Sequence, residues 1–475
     1  MLARRSQSLR RSLRRRSLAS SAPGAAQNWC ENVRFHHKSF IAPESLEEVQ
    51  DAVATTRGEL RVLGSGHSFS SLCRSDDALL SMAYLRGVEV AVESEDDMSV
   101  TVQGGATVGD VVKYLAARGM ALANIPSLPH VSVAGALATS THGSGLGPKA
   151  PGSLAALCRS VDFVQGDGSV VTYERGDDEF KAAVVHLGAL GVVASITLDV
   201  VPEFQVDQRV YEDVDLDAML PSVAELARSV DSLTVGANFG FNQTGMLWMR
   251  YYGHSEAPEP PLELLGGKLR FQPVPFYESD EGVKTTAITP WHDAPSFFMD
   301  DLREVGMPHV AVQSEYFVPL DAAADALAAV RAVASRWPGW PLSEADLGPF
   351  VPVFHCEVRA IKADGLGGVA PFQDRDTLSI HFTWGAWDRH GPAILGMVGA
   401  VEAALLPFEP RPHMGKLNVM PHRAVAANFP PGAVAAFRDL AETHDPRGKF
   451  RNALVRKQVW GDAGDLDGEY PVFSS

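Results

Sequence analysis

Cysteine is scarce in this chain, with four in 475 residues, at positions 30, 73, 158 and 356. They lie far apart and form no CxxC pair, which argues against structural zinc and against a disulfide framework. Positive charge is also in deficit: 41 Lys and Arg stand against 58 Asp and Glu, for a formal net charge of −17. A nucleic-acid binder or a basic membrane-surface protein needs the opposite balance. No unbroken apolar run approaches the roughly 18 residues of a membrane span, so no transmembrane segment is expected. There is no GxGxxG, and with it goes the sequence support for a Rossmann dinucleotide site. The absence of Walker A, GxSxG and HExxH runs weakens nucleotide-hydrolysis, hydrolase and metalloprotease readings. No metal site is expected. The 45% apolar and 21% charged residues are ordinary for a globular protein, and the length allows two or three domains.

Acidic residues are missing from one place altogether. Residues 1–27 hold seven arginines, six serines and no acid, the first being Glu31. These arginines carry +7, so the rest of the chain stands at −24. The segment lacks the apolar stretch of a secretory signal, and its Arg-rich, Ser-rich, acid-free composition is that of an organellar transit peptide. Leu2, Leu9 and Leu13 can share one helix face with arginines opposite, which favours a mitochondrial address, with the plastid as alternative. A disordered basic arm is the plainer reading.

From Asn28 strands and helices alternate. Ser45-Leu-Glu-Glu48 reads as a capping box, and Leu60 to Leu63 as a strand entering Gly64-Ser-Gly-His-Ser-Phe69. Thr107-Val-Gly-Asp110 can cap a helix ended by Gly119. Val161–Val164 and Val170–Tyr173 flank Gly166-Asp-Gly168, a hairpin signal, and Leu187–Val201 reads as a buried strand pair. Composition shifts after Pro202, placing a boundary near residue 205. Beyond it, 257–261 and 272–276 read as Pro-rich loops and Ala322–Ala334 as a helix. Strand-like runs at 310–318, 353–360 and 378–383 suggest an antiparallel sheet. The expected fold class is α+β.

Two Gly/Ser-rich segments carry the first chemical signal. In Gly64-Ser65-Gly66-His67-Ser68, glycines around a serine let the backbone approach a ligand and point N–H groups at an anion. Alone this is a tight turn, and His67 alone is a satisfied histidine. Ser127-Leu-Pro-His-Val-Ser132-Val-Ala-Gly135 leads to Thr139-Ser140-Thr141-His142-Gly-Ser-Gly145, whose many small residues and hydroxyls suit the backbone-lined site of a large phosphorylated cofactor. Further along, Glu357 and Arg359 are two apart and so share a strand face; His381 and Thr383 repeat that geometry, and His413-Met-Gly-Lys416 adds two ionisable groups. Facing one cavity these would form a polar substrate cradle. Each pair alone reads more readily as a solvated strand face that needs no function.

Taken together, "VLGSGHSF", "SLPHVSVAGALATSTHGSG", "LGALGVV", "CEVR", "HFTW", "RPHMGK" and "DPRGKFRNA" resemble the flavin-dependent alditol oxidases. These lie within the vanillyl-alcohol-oxidase-type superfamily that includes the sugar-1,4-lactone oxidases. The resemblance runs from Asn28 to about Leu454. It implies a two-subdomain FAD-binding domain of the vanillyl-alcohol-oxidase/PCMH type over 28–205 and a substrate-binding cap with a large antiparallel sheet over 206–430. Residues 431–475 would return to the FAD domain. It implies FAD bonded covalently to His67 through the 8α-methyl, with Val62, Leu63, Gly64, Ser65, Gly66 and Ser68 around the pyrophosphate. Ser127, Ser132, Gly135, Thr139, Ser140, Thr141, His142, Val193 and His413 would complete the cofactor site. Ser127, Glu357, Arg359 and Thr383 would bind the polyol, with His381, Lys416 and Arg359 at the reacting carbon.

The implied reaction is hydride transfer from a terminal CH–OH to flavin N5, followed by reoxidation by O2 to give aldose and H2O2. Arg359 and Lys416 suit a developing alkoxide. His381 suits proton acceptance, kept neutral by two neighbouring cations. Two positions depart from the family pattern: Met414 replaces the tryptophan of HWxK, and Pro126 stands where relatives carry alanine, which bear on substrate preference and oxygen use. The rivals are a sugar-1,4-lactone oxidase or dehydrogenase and a redox-inactive sugar-binding protein of the same fold. No nucleic-acid partner is expected, and the chain is read as a monomer.

Overall fold

The computed structural model describes residues 27–462 apart from 95–96, 148, 238, 240–242, 254–256, 273, 277–278, 284, 296–310, 336–352 and 386. Residues 1–26 of the basic leader lie outside the described residues.

The N-terminal part holds two small sheets. Ser39–Ile41, Ala78–Ser81 and Leu60–Leu63 form a parallel three-stranded sheet. The helix Leu46–Thr55 packs against it through Val49 and Val53, which share a core with Leu60, Leu80 and Phe450. Its expected capping box is half present: the Ser45 side chain accepts from Glu48 N, while the Glu48 carboxylate takes Glu44 N instead of Ser45 N. The Thr107–Asp110 box is complete and opens Val108–Ala116. Gly119, at φ +68°, follows that helix; a residue without Cβ adopts this left-handed conformation at little cost.

The second sheet is six-stranded and antiparallel, running Val88–Ser94, Asp97–Gln103, Val192–Pro202, Cys158–Val164 and Val170–Glu174, with Met120–Ala121 paired to the far end of Val192–Pro202. The hairpin around Gly166-Asp-Gly168 forms as expected. Leu187–Val201 does not make two strands. Gly188 and Gly191 take φ +68° and +144°, so the chain turns twice before a single long strand.

Sheet membership changes between Pro202 and Gln205. From Gln205 on, the strands build one ten-stranded antiparallel sheet. Its central order is Gln205–Asp215, Thr244–Tyr252, Ser232–Ala237, Val353–Ile361, Thr377–Trp384, Val312–Pro319 and Arg411–Pro412. Residues 274–276, expected as loop, pair as a short hairpin with 279–283. Successive side chains on a strand point to opposite faces. Tyr316, Val358, Ile380 and Phe382 are buried in the core that includes the helices Ala323–Ala334 and Trp387–Leu405, while Glu315, Glu357 and His381 line a cavity on the other face. Residues 390–408, overlapping the second helix, are long and apolar enough to cross a membrane by length and composition. Here the helix is tied to the sheet by Tyr316 Oη, which donates to Glu402 (2.9 Å).

The chain end closes on its beginning. Leu60 N donates to Lys449 O (2.9 Å), Arg61 Nη1 to Phe450 O, and Asn452 Nδ2 to the carbonyls of Ser71, Leu72 and Arg74. The fold is α+β, as read from the sequence.

Candidate active site

The strand Leu60–Leu63 delivers the chain into the turn 64–69, where Gly66 adopts φ +73°. The turn is stapled from two sides. Trp29 N donates to Gly66 O (2.8 Å) and Asn28 Nδ2 to Ser68 O (2.8 Å), while Phe69 N and Ser68 Oγ donate to Gly415 O (2.8 and 3.1 Å). His67 stands between Trp29 and His130, ring centroids 5.0 and 4.1 Å away.

The second Gly/Ser segment comes against the first. Ser132 caps the short helix Val133–Ala138 by accepting from Gly135 N (3.3 Å), and its own N–H donates to Ser65 Oγ (3.3 Å). A Cβ on Gly64 would fall 2.5 Å from Ser132 Oγ, and one on Gly104 only 2.1 Å from Val193 O. At Gly104 the neighbour is backbone, so glycine is dictated there by close approach of chain to chain; at Gly64 the Ser132 hydroxyl would have to shift.

These loops wall a cavity of about 750 Å³, within the roughly 300–1,000 Å³ range of small-molecule and cofactor sites. It begins at residues 62–69, passes 81–86 and 104–113, continues along 126–142 and 186–193, and ends on the antiparallel sheet. Every site residue read from the sequence lines it except Ser140. Ser140 sits at φ +55°, fully buried, with no hydrogen-bond partner for Oγ; its left-handed backbone turns the hydroxyl away while Thr139 and Thr141 keep theirs together (3.2 Å). Met414 does not line the cavity; it is buried in the core, and its carbonyl accepts from Ser70 Oγ (2.8 Å).

The sheet end of the cavity is a row across three adjacent strands. Glu357 is the register partner of His381, and His381 that of Glu315. Thr383 and Gln313 form the next row, and both line the cavity. Arg359 donates from Nε and Nη2 to the two Glu357 oxygens (2.9 and 2.5 Å) and from Nη2 to Ser127 Oγ (3.2 Å). Lys416 Nζ donates to Glu315 Oε2 (2.5 Å). His142 Nε2 lies 3.2 Å from Glu315 Oε1, and its Nδ1 is 2.8 Å from Gly143 O. Among the described residues His381 has no hydrogen-bond partner at either nitrogen, and the Glu357 carboxylate lies 3.7 Å from its Nδ1.

The electrostatics follow from burial and these contacts. Burial, then the Lys416 ammonium, lowers His381 to about 4, so the ring is neutral at physiological pH and able to accept a proton. Two neighbouring cations were expected to do this. Burial is the larger cause, and Lys416 is the cation involved, while Arg359 is committed to Glu357. Burial and Lys416 likewise hold His413 well below the usual histidine range, and its Nδ1 accepts from Gly415 N (3.1 Å). Burial alone would raise Glu315, but Lys416 and His142 outweigh it and hold the carboxyl well below the ordinary range. Burial lowers Lys416, and Glu315 opposes that shift.

Among the cavity residues that escaped the sequence reading are Glu315, His130 and His186. The signal for Glu315 was available, because Gln313 and Glu315 are two apart in a strand-like run, the pattern that exposed Glu357 and Arg359. His186 accepts from Gly188 N at Nδ1 (3.0 Å) and is lowered to about 3, chiefly by burial. Its neutral ring then carries the proton on Nε2, a buried donor without an acceptor among the described residues. That donor and the two interlocked glycine loops fit an elongated, phosphate-bearing ligand rich in acceptors, as FAD is.

Comparison with known proteins places the chain. It is 34% identical over 448 residues to an alditol oxidase of a Streptomyces species, spanning 92% of this chain and 99% of that enzyme. The chain belongs to the alditol oxidase family. Residues 38–174 match the family described as FAD binding domain, and 308–458 that described as D-arabinono-1,4-lactone oxidase. This family member also shares 34% identity with the D-arabinono-1,4-lactone oxidase of Eremothecium gossypii, over 38% of this chain and 35% of that one. Cholesterol oxidase from Brevibacterium sterolicum has the same fold, with a TM-score of 0.69 at 16% identity over 91% of this chain and 96% of that one. The protein is thus an FAD-dependent oxidoreductase with a PCMH-type FAD-binding domain.

Proposed function

We propose that the enzyme oxidises a polyol of the xylitol or sorbitol kind at a terminal CH–OH, with O2 as acceptor, yielding aldose and H2O2. The observation that carries this reading is the joint presence at one cavity wall of Ser127, Glu357, Arg359 and Thr383 beside His381 and Lys416. In this reading 28–205 hold the cofactor, 206–430 supply the substrate wall, and the segment 431–475, of which 463–475 lie outside the described residues, belongs with the cofactor part. FAD, when bound, supplies the hydride acceptor and the route for electrons to O2. It would be held by the loops 62–68 and 132–142, by Val193 and by His413, with His67, packed against the rings of Trp29 and His130, as the residue for a covalent bond. His142 also meets Glu315.

The protein's own residues handle the alcohol. Glu357, oriented by Arg359, and Thr383 bind hydroxyls along the chain, with Ser127 closing the pocket. Lys416 holds the reacting oxygen as negative charge develops on it, a charge-assisted bond in a dry site. The neutral His381 takes the hydroxyl proton. The enzyme works as a monomer and enters mitochondria by its basic leader, with the plastid as the alternative address.

A sugar-1,4-lactone substrate is the second reading, favoured by the match of residues 308–458 to the lactone oxidase family. Anaerobic mixing with xylitol, sorbitol and a galactono- or gulonolactone, followed by readmission of oxygen, decides between them. Bleaching of the flavin by polyols supports the proposal, and bleaching by lactones alone replaces it.

A further inference from the structure

The Glu315 carboxylate is 1% exposed, yet it meets donors on every side. Lys416 Nζ reaches Oε2 at 2.5 Å, His142 Nε2 lies 3.2 Å from Oε1, and Ser379 Oγ also donates to Oε1. The same residue's carbonyl accepts from His413 N (3.0 Å), which anchors the segment that carries Lys416. His142 places its two ring nitrogens against two acceptors, Gly143 O and Glu315 Oε1. The remaining groups facing Glu315 are His381, its register partner, and beyond it the Glu357–Arg359 pair, with the His413 ring 6.3 Å from that of His142.

A buried carboxylate is costly unless donors and an opposite charge compensate it, and here Lys416, Ser379 and His142 supply both. We propose that Glu315 is a positioning residue, holding the Lys416 ammonium protonated and fixed in the cavity beside His381. The inference rests on the polyol-oxidation reading for the role of Lys416, but the bond itself can be tested without turnover. Lysine must be charged to stabilise an alkoxide, and a lysine in a closed cavity loses its proton readily. Glu315 supplies the opposing charge, and Ser379 and His142 keep the carboxylate from swinging with it.

The test compares wild type, Glu315→Gln and Glu315→Asp by trace acetylation with acetic anhydride across pH, reading Lys416 by peptide mass spectrometry. Only the neutral amine reacts, so the midpoint reports the Lys416 proton. In Glu315→Gln the midpoint moves to lower pH by about one unit or more, and in Glu315→Asp by less. Anaerobic reduction by xylitol slows roughly tenfold or more in Glu315→Gln with substrate Kd little changed, and Glu315→Asp recovers part of the rate. Lys416→Met with Glu315→Gln is no slower than Lys416→Met alone. An unchanged Lys416 midpoint in Glu315→Gln overturns the proposal, as does an additive loss in the double variant. Should Glu315→Gln not accumulate, an unshifted midpoint in Glu315→Asp overturns it equally. If wild type is not reduced by polyols the substrate reading falls, while the labelling result still decides what Glu315 does.

Discussion

At the scale of single residues the chemistry concentrates on Lys416 and His381. Replacing Lys416 by Met keeps the length of the side chain but removes the charge that meets the developing alkoxide. The rate of flavin reduction by polyol should fall by about 10²–10³-fold, the usual loss for one such donor. Substrate Kd should change only a few-fold, because the charge matters most in the transition state. Stopped-flow reduction against substrate concentration separates the two, and a rate equal to wild type removes Lys416 from the mechanism. Because His381 sits at about 4, its neutral form is complete from about pH 5 upward. The reduction rate should therefore show no acidic limb from this ring between pH 5 and 8, and its alkaline limb should lie below the range of an ordinary lysine. At the other end of the cavity, His67→Ala should release the yellow colour from an acid-precipitated pellet into the supernatant while the protein still folds. Colour that stays in the pellet of this variant would place the covalent bond elsewhere.

At the scale of elements, the back of the antiparallel sheet is tied to its long helix by one acidic side chain. Glu402 accepts from Tyr316 Oη (2.9 Å), next to Glu315 on the strand, and from Val419 N (2.8 Å), three residues past Lys416. Burial raises Glu402 to about 7. A carboxyl raised in the folded state favours folding while it is protonated, and that contribution is lost as pH rises from about 4.5 through 7. Glu402→Gln keeps an acceptor for both donors and carries no charge. It should raise the melting temperature at pH 8, by the equivalent of about 2–3 kcal/mol, and have little effect near pH 5. A variant no more stable than wild type at pH 8 would show that the charge is accommodated without cost.

The same sheet shows what the sequence made legible. Glu357 with Arg359 and His381 with Thr383 were readable because a strand's period of two is strict, and the structure puts all four on the cavity wall. The two glycine loops were readable because close approach leaves no room for a Cβ. The two-residue spacing of Gln313 and Glu315 was visible, but the role of Glu315 was not, because its partners Lys416 and His142 are remote in sequence and only the tertiary fold brings them together. Ser140 was misplaced for a local reason: a hydroxyl-rich run suggests that all hydroxyls face the ligand, but one left-handed residue turns its own away. Two turns before Val192–Pro202 likewise replaced an expected strand, since an apolar Gly-rich run does not distinguish turn from strand.

At the scale of the whole molecule, the cavity joining the two parts is lined by His381, His186 and His413, which burial holds below the usual histidine range, and this links catalysis to acid stability. His381 lies at about 4 and His186 at about 3 in the folded chain, against about 6.5 when unfolded. A depressed pKa means that the unfolded chain binds the extra proton first, so stability is intact above about 6.5 and is lost as pH falls through the folded values. At 1.36 kcal/mol per unit, His381 alone accounts for about 3 kcal/mol. Glu402 acts with the opposite sign over part of the same window, gaining stability as pH falls from 7 to 4.5, and so masks some of the loss. Urea midpoints measured at pH 8, 6.5, 5 and 4 should decline towards acid in wild type. They should decline more steeply in Glu402→Gln, where the opposing contribution of Glu402 is gone. A flat profile in that variant would mean that the buried imidazoles protonate without unfolding, through opening of the cavity to water, and the neutral His381 required for proton transfer would then be lost under mild acid along with the shelter that maintains it.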